Sequence, residues 1–302
     1  MQEALEFHTL DVFTDEPYSG NPLAVVLGAD ALTDAQMQAI AREFNLSETV
    51  FVMAPARPEH TARLRIFLPR AEIPFAGHPT IGAAVLLSGL LDGAGEAHRQ
   101  LVLELEAGLV PVRVSRQAGR VRAELTAPVL PHAVPVPAPS AAAVAPALGL
   151  GEGDMGCGPH LAPALWQGGP RFLFVPLRDT AALGRARPSE PRWSSIMAQA
   201  GTDSAWLYTR VGAGAYRARM FSPGSGVAED PGTGSACAIL AVELQAAGLL
   251  ENGITRLTVT QGVEMGRPSQ IAVSIKCDDG ALRSVRIAGG AAPVSEGRIM
   301  QP

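Results

Sequence analysis

The chain has 302 residues, 47% hydrophobic and 18% charged. That length exceeds a usual single core and suits two domains, while the composition excludes a disordered chain. A net charge of -5, from 24 basic and 29 acidic residues, lacks the electrostatic footprint of a nucleic-acid or anionic-membrane binder.

The opening MQEALEFHTLDVF carries no basic segment followed by an apolar run, so no secretory signal is expected. Residues 6–13 and 23–27 read as strands. Thr33-Asp34-Ala35-Gln36 has the form of a capping box, opening a helix that runs to Phe44 and stops at Asn45. Residues 49–53 are β-branched and aromatic and predict a strand, as does the alternating stretch 63–67. Pro79 suits a first helical turn, and the helix predicted over 80–91 is apolar nearly all round, hence buried. It falls short of the ~20 apolar residues of a membrane span.

The Pro/Ala-rich stretch 128–146 predicts a linker between domains 1–128 and 129–289, with 290–302 a candidate to return to the first. A second buried helix is predicted over 235–247, and 285–300 reads as two short strands separated by Gly289-Gly290. The two halves echo each other. Arg63, Arg65, Phe67 and Pro69 pair with Arg217, Arg219, Phe221 and Pro223, each at 217 − 63 = 154 residues, and Gly108 pairs with Gly262 at the same offset. A period this long lies far above the ~20–50 residues of solenoid repeats, and so implies two homologous domains. The expected architecture is α+β: two pseudo-symmetric half-barrels, each a mostly antiparallel sheet curled around one apolar helix.

Chemistry is expected where those helices begin. Gly77-His78-Pro79-Thr80 and Gly232-Thr233-Gly234-Ser235 expose backbone N–H groups at the positive ends of helix dipoles, suited to a carboxylate or an enolate oxygen. Glu48 stands at the mouth of an apolar strand, where partial burial would suit it to exchange a proton near neutral pH. His78 and Asp230 are its expected partners. Each of the three also has a structural reading: a strand end, a hydrogen-bonded core histidine, an N-cap-type residue. Cys157, Cys237 and Cys277 are scattered and the six histidines lack ligand spacing, which points to a cytoplasmic protein without disulfide, metal or cofactor. Cys237 reads as a core residue. No GxSxG, Walker A or GxGxxG motif is present.

Across nearly its full length the sequence resembles the PhzF family, the phenazine biosynthesis-like proteins, within the diaminopimelate-epimerase-like fold. The resemblance rests on DVFTDEPYSGNPLAVVL, NLSETVFV, FAGHPTIGAA, EDPGTGSA and QGVEMGRPSQI. It implies a cofactor-independent isomerase, commonly a homodimer, with its active site between the two domains. In such an enzyme one glutamate, here Glu48, moves a proton between carbons of a small substrate resembling trans-2,3-dihydro-3-hydroxyanthranilate. It further implies His78 and Asp230 as catalytic residues. Ser47, Gly77, Pro79, Thr80, Gly232, Thr233, Gly234 and Ser235 become substrate-binding ones. Ala76 and Pro231 stand where the thiol racemases of this fold carry paired cysteines, which argues against two-thiol racemisation. An epimerase using Glu48 with a second base, and a non-catalytic small-molecule binder, are the alternatives.

Overall fold

In the computed structural model, which describes residues 4–93, 95 and 97–302, the chain divides into two units. One is Met1–Pro128 with Ile287–Pro302, the other Val129–Arg286.

In the first unit β1 (Ala4–Val12) and β2 (Asn21–Leu27) pair antiparallel. Helix α1 (Asp34–Phe44) then crosses to β3 (Glu48–Met53), which lies parallel to β2. The capping box is present. Thr33 accepts from the Gln36 N–H, and the Gln36 side chain accepts from the Thr33 N–H at 3.0 Å. Asn45 ends the helix in the left-handed conformation, φ 51°. Next come β4 (Ala62–Phe67), antiparallel to β3, and β5 (Glu72–Ile73), antiparallel to β4. After α2 (Gly77–Asp92), β6 (Ala97–Leu105) runs parallel to β4, and β7 (Gly108–Gln117) and β8 (Arg120–Thr126) follow as antiparallel neighbours.

The predicted helix over 80–91 begins three residues earlier, at Gly77. Pro79 sits in the first turn, where a missing N–H costs no helical hydrogen bond. Every residue from Gly77 to Val85 is buried, and small side chains make that approach possible. A Cβ at Gly82 would lie 2.5 Å from Leu23 and 2.7 Å from Val12.

The second unit opens with a correction. Stretch 128–146 is not a plain linker, because it supplies β9 (His132–Ala133) and most of α3 (Ala141–Ala147). Ser140 caps that helix by accepting from the Ala143 N–H, and Val144, Ala145 and Ala147 join the core with Leu173, Leu183, Trp193 and Phe221. Alanine is the best helix former, so an Ala-rich run with a serine cap folds once it has an apolar surface to cover. There follow β10 (Ala164–Gln167), β11 (Arg171–Pro176), α4 (Thr180–Arg185), α5 (Arg192–Ala200), β12 (Ala205–Gly212), β13 (Ala215–Ser222) and β14 (Val227–Asp230). Then come α6 (Gly234–Ala246), β15 (Gly253–Gln261), β16 (Ser269–Asp278) and β17 (Ala281–Gly289), and β18 (Ala291–Met300) pairs antiparallel with β1 from Ala4↔Met300 to Val12↔Ala291.

Strand pairing repeats between the units. In the first, β2 is parallel to β3, β3 antiparallel to β4, β4 parallel to β6, and β6 antiparallel to β7. In the second, β11 is parallel to β12, β12 antiparallel to β13, β13 parallel to β15, and β15 antiparallel to β16. The 154-residue echo is thus an echo of topology. Helix α6 is not wholly apolar, however: Glu243 is buried in it, accepting from Tyr208 Oη at 2.8 Å and from the Trp166 indole N–H.

Candidate active site

Glu48 is the first residue of β3 and is part-buried, its side chain 14% exposed. The parallel pairing Leu23↔Glu48 fixes its register beside β2, and α2 brings His78 to it from 30 residues away. His78 Nε2 lies 3.5 Å from Glu48 Oε2. On the other edge of the ring, Asn21 Nδ2 is 3.3 Å from His78 Nδ1. Burial pushes the His78 ring down to about 3, only partly offset by a hydrogen bond to the Pro22 carbonyl, so the ring is neutral at physiological pH. A neutral neighbour matters: a fixed cation such as arginine would hold a carboxylate in its ionised form. Ser47 precedes the strand and is half-buried, whereas Gly77, Pro79 and Thr80 are buried in the first turn of α2. The Thr80 hydroxyl donates to the Ala76 carbonyl at 2.7 Å.

In the second unit Asp230 ends β14 and Thr233 is the N-cap of α6, both buried. Thr233 Oγ1 donates to Asp230 Oδ2 at 2.5 Å, forgoing the usual cap bond to its own helix. Gln261 Nε2 donates to the Asp230 carbonyl at 2.7 Å and to Thr233 Oγ1 at 2.8 Å, and Trp206 Nε1 donates to Gln261 Oε1 at 3.0 Å. Gly232 and Gly234 are buried and Ser235 is half-buried. Gly262, in the left-handed region at φ +79°, closes the turn beneath: a Cβ there would fall 2.6 Å from the Pro231 carbonyl oxygen.

Neither N-cap, Ala76 nor Thr233, gives its side chain to the first N–H groups of its helix. Those donors suit an anionic oxygen. Burial and the nearby Asp230 carboxylate push the Cys237 thiol far above its ordinary range, so it packs rather than reacts. Among the described residues no group of three or more His, Cys, Asp or Glu could hold a metal ion, and no helix is long and apolar enough to cross a membrane.

Sequence reasoning missed Asn21, Trp206 and Gln261. Asn21 lay inside the NPLAVVL run and Gln261 directly before Gly262, so a polar residue beside a motif was the one available signal. Their roles come from contacts 57, 28 and 55 residues distant in sequence.

A profile of the phenazine biosynthesis-like proteins, PhzC-PhzF, matches residues 10–297. The chain belongs to this family. Within it, an uncharacterized isomerase of Mesorhizobium japonicum is 41% identical over 302 residues, covering 96% of each chain. The trans-2,3-dihydro-3-hydroxyanthranilate isomerase of Pseudomonas aeruginosa is 37% identical, over 96% of this chain and 97% of its own. Among solved structures, a protein of Pseudomonas aeruginosa described as a predicted epimerase superposes with a TM-score of 0.81 at 31% identity, over 99% of this chain and 100% of that one. The fold is α+β, of the kind shared by PhzF proteins and the proline and diaminopimelate epimerases. This PhzF-family chain is therefore an enzyme of an isomerase and epimerase family.

Proposed function

We propose that this enzyme is a cofactor-independent isomerase in which Glu48 takes a proton from one carbon of a small, carboxylate-bearing ring and returns it to another. The observation that carries the reading is the Glu48–His78 pair: a part-buried carboxylate 3.5 Å from an imidazole kept neutral by burial. A base that must release its proton again cannot be held ionised by a permanent cation, and this neighbour imposes none. His78, itself held by Asn21, orients the carboxyl group and the substrate's polar substituent. The N–H groups at Gly77 and Thr80 receive the substrate carboxylate or developing negative charge, and in the second unit Asp230 and the N–H groups at Gly234 and Ser235 are the groups fitted to bind polar substituents.

The relatives named trans-2,3-dihydro-3-hydroxyanthranilate isomerase, at 36% and 37% identity, make that compound the first substrate to try. Glu48→Gln keeps the shape and removes the base. Turnover should fall roughly 10³-fold with substrate affinity little changed. In deuterated water the product should carry a displaced double bond, with deuterium at the receiving carbon to the extent that the proton on Glu48 exchanges with solvent before delivery. Deuterium at a single inverted stereocentre would indicate epimerisation instead, and a fully active Glu48→Gln enzyme would end the proposal. A homodimer working in the cytoplasm belongs to the same reading, and sedimentation equilibrium tests the dimer.

A further inference from the structure

Trp206, Gln261, Thr233 and Asp230 form a line of hydrogen bonds whose direction is set from one end. An indole N–H can only donate. Because Trp206 Nε1 donates to Gln261 Oε1 at 3.0 Å, the amide is oriented with its oxygen toward the indole and its nitrogen away. Both hydrogens on Nε2 are then used, one on the Asp230 backbone carbonyl at 2.7 Å and one on Thr233 Oγ1 at 2.8 Å. Having accepted from Gln261, the Thr233 hydroxyl sends its single proton to Asp230 Oδ2, 2.5 Å away. Trp206 and Gln261 are wholly buried and Thr233 and Asp230 nearly so, leaving little water to compete for these bonds. The register is built in: Gly262, next in sequence to Gln261, sits in a left-handed turn packed on the Pro231 backbone.

We propose that Trp206, Gln261 and Thr233 are positioning residues that make Asp230 Oδ2 a permanent acceptor, so that any proton this carboxyl group carries is confined to Oδ1. Running the line the other way would require the indole to accept, which it cannot. Asp230 thereby has two chemically unequal oxygens. Oδ2 is committed to Thr233, and Oδ1, as the seat of the proton, sets the direction in which the group meets a hydroxyl or amine of the substrate. Only this last, kinetic consequence rests on the role given to Asp230 under the proposed function.

The test is a titration of the Asp230 carboxyl carbon by NMR in ¹³C-aspartate-labelled protein, with kcat and KM followed across the same pH range. Thr233→Val is nearly isosteric and deletes the donor to Oδ2. It should move the Asp230 midpoint upward by about one pH unit or more, since the ionised form loses a hydrogen bond. Trp206→Phe should move it the same way by less, because the amide is then free to turn. Thr233→Ser, which keeps the hydroxyl, should restore the wild-type midpoint. Unmoved midpoints in both Thr233→Val and Trp206→Phe, with circular dichroism unchanged, would overturn the relay. The titration does not depend on turnover. A shifted midpoint with unaltered kcat keeps the relay and removes Asp230 from the reaction. A lowered kcat with an unmoved midpoint keeps Asp230 in the reaction and removes the relay.

Discussion

The two units carry the same arginine device at matching places in the repeat, and the copies differ in setting. In the first, Arg65 lies over the Phe67 ring at 5.2 Å and grips Glu72 through two nitrogens, with its side chain 18% exposed. In the second, Arg219 lies over Phe221 at 4.7 Å, grips Glu229 through two nitrogens at 2.8 Å, and also donates to the Leu183 and Ala186 carbonyls, at 2% exposure. One pattern in the sequence thus makes a clamp near solvent in one unit and a core strut in the other. Water decides the difference: near solvent an ion pair replaces good hydration, whereas in the core each partner depends on the other.

The helix starts differ in a parallel way. At α2 the contacts of the His78 ring with two side chains are long, 3.3 Å to Asn21 and 3.5 Å to Glu48. At α6 they are tight, from 2.5 Å between Thr233 and Asp230 to 3.0 Å between Trp206 and Gln261. Loose contacts suit groups that must exchange partners during a reaction, and they commonly tighten once substrate binds. Tight ones suit groups that hold still.

The sharpest way to break the comparison is to remove both arginines in turn. Arg219→Met removes the bidentate partner of part-buried Glu229 and one donor from each of the Leu183 and Ala186 carbonyls, and should cost about 3–5 kcal/mol in urea denaturation. Arg65→Met should cost about 1 kcal/mol or less. Equal losses would mean that burial does not separate the copies. A smaller contrast is expected at the paired glycines. Gly262→Ala meets both a left-handed backbone and carbonyl oxygens 2.4 and 2.6 Å away, and should destabilise by roughly 2–4 kcal/mol. Gly108→Ala, at φ +120° with nothing within 4 Å, meets backbone strain alone and should cost roughly 1–2 kcal/mol. Thermal melts of the two variants would rank them.

A separate contrast concerns acid. Folding lowers the His78 ring from its ordinary value of 6.5 to about 3, so the folded state favours the neutral form. Stability from this source is whole above pH 6.5 and is withdrawn as pH falls toward 3, by about 1 kcal/mol per unit within that window. Stability curves measured at pH 7, 6 and 5 for the wild type and His78→Asn should differ in slope by that amount. Parallel curves would mean the ring is less secluded than its 4% exposure indicates.

Local patterns were legible where neighbours in sequence decide the outcome. The box at Thr33 and Gln36, the stop at Asn45 and the two greasy helices were readable because caps and periodicity act over a few residues. The 154-residue offset made the duplication visible. The proline and alanine run around Ser140 misled, because composition cannot tell a spacer from a short helix awaiting an apolar surface. Glu243 escaped notice for a similar reason: a carboxylate in a buried helix is tolerable only with donors, and Tyr208 and Trp166 arrive from distant strands. Among the candidate residues Glu48, His78 and Asp230 stood out through motif and position. Asn21, Gln261 and Trp206 did not, since nothing local to them distinguishes a relay from a satisfied core amide or indole.

The union of β1 with β18 has a consequence for biosynthesis. Residues 4–12 find this antiparallel partner only at 291–300, so a nascent chain carries an unfinished strand edge until those residues have been made. The second unit is a single uninterrupted segment, Val129–Arg286, and is available to fold on the ribosome while the first still waits for its last strand. Deleting residues 291–300 should therefore injure the earlier-made unit and spare the later one.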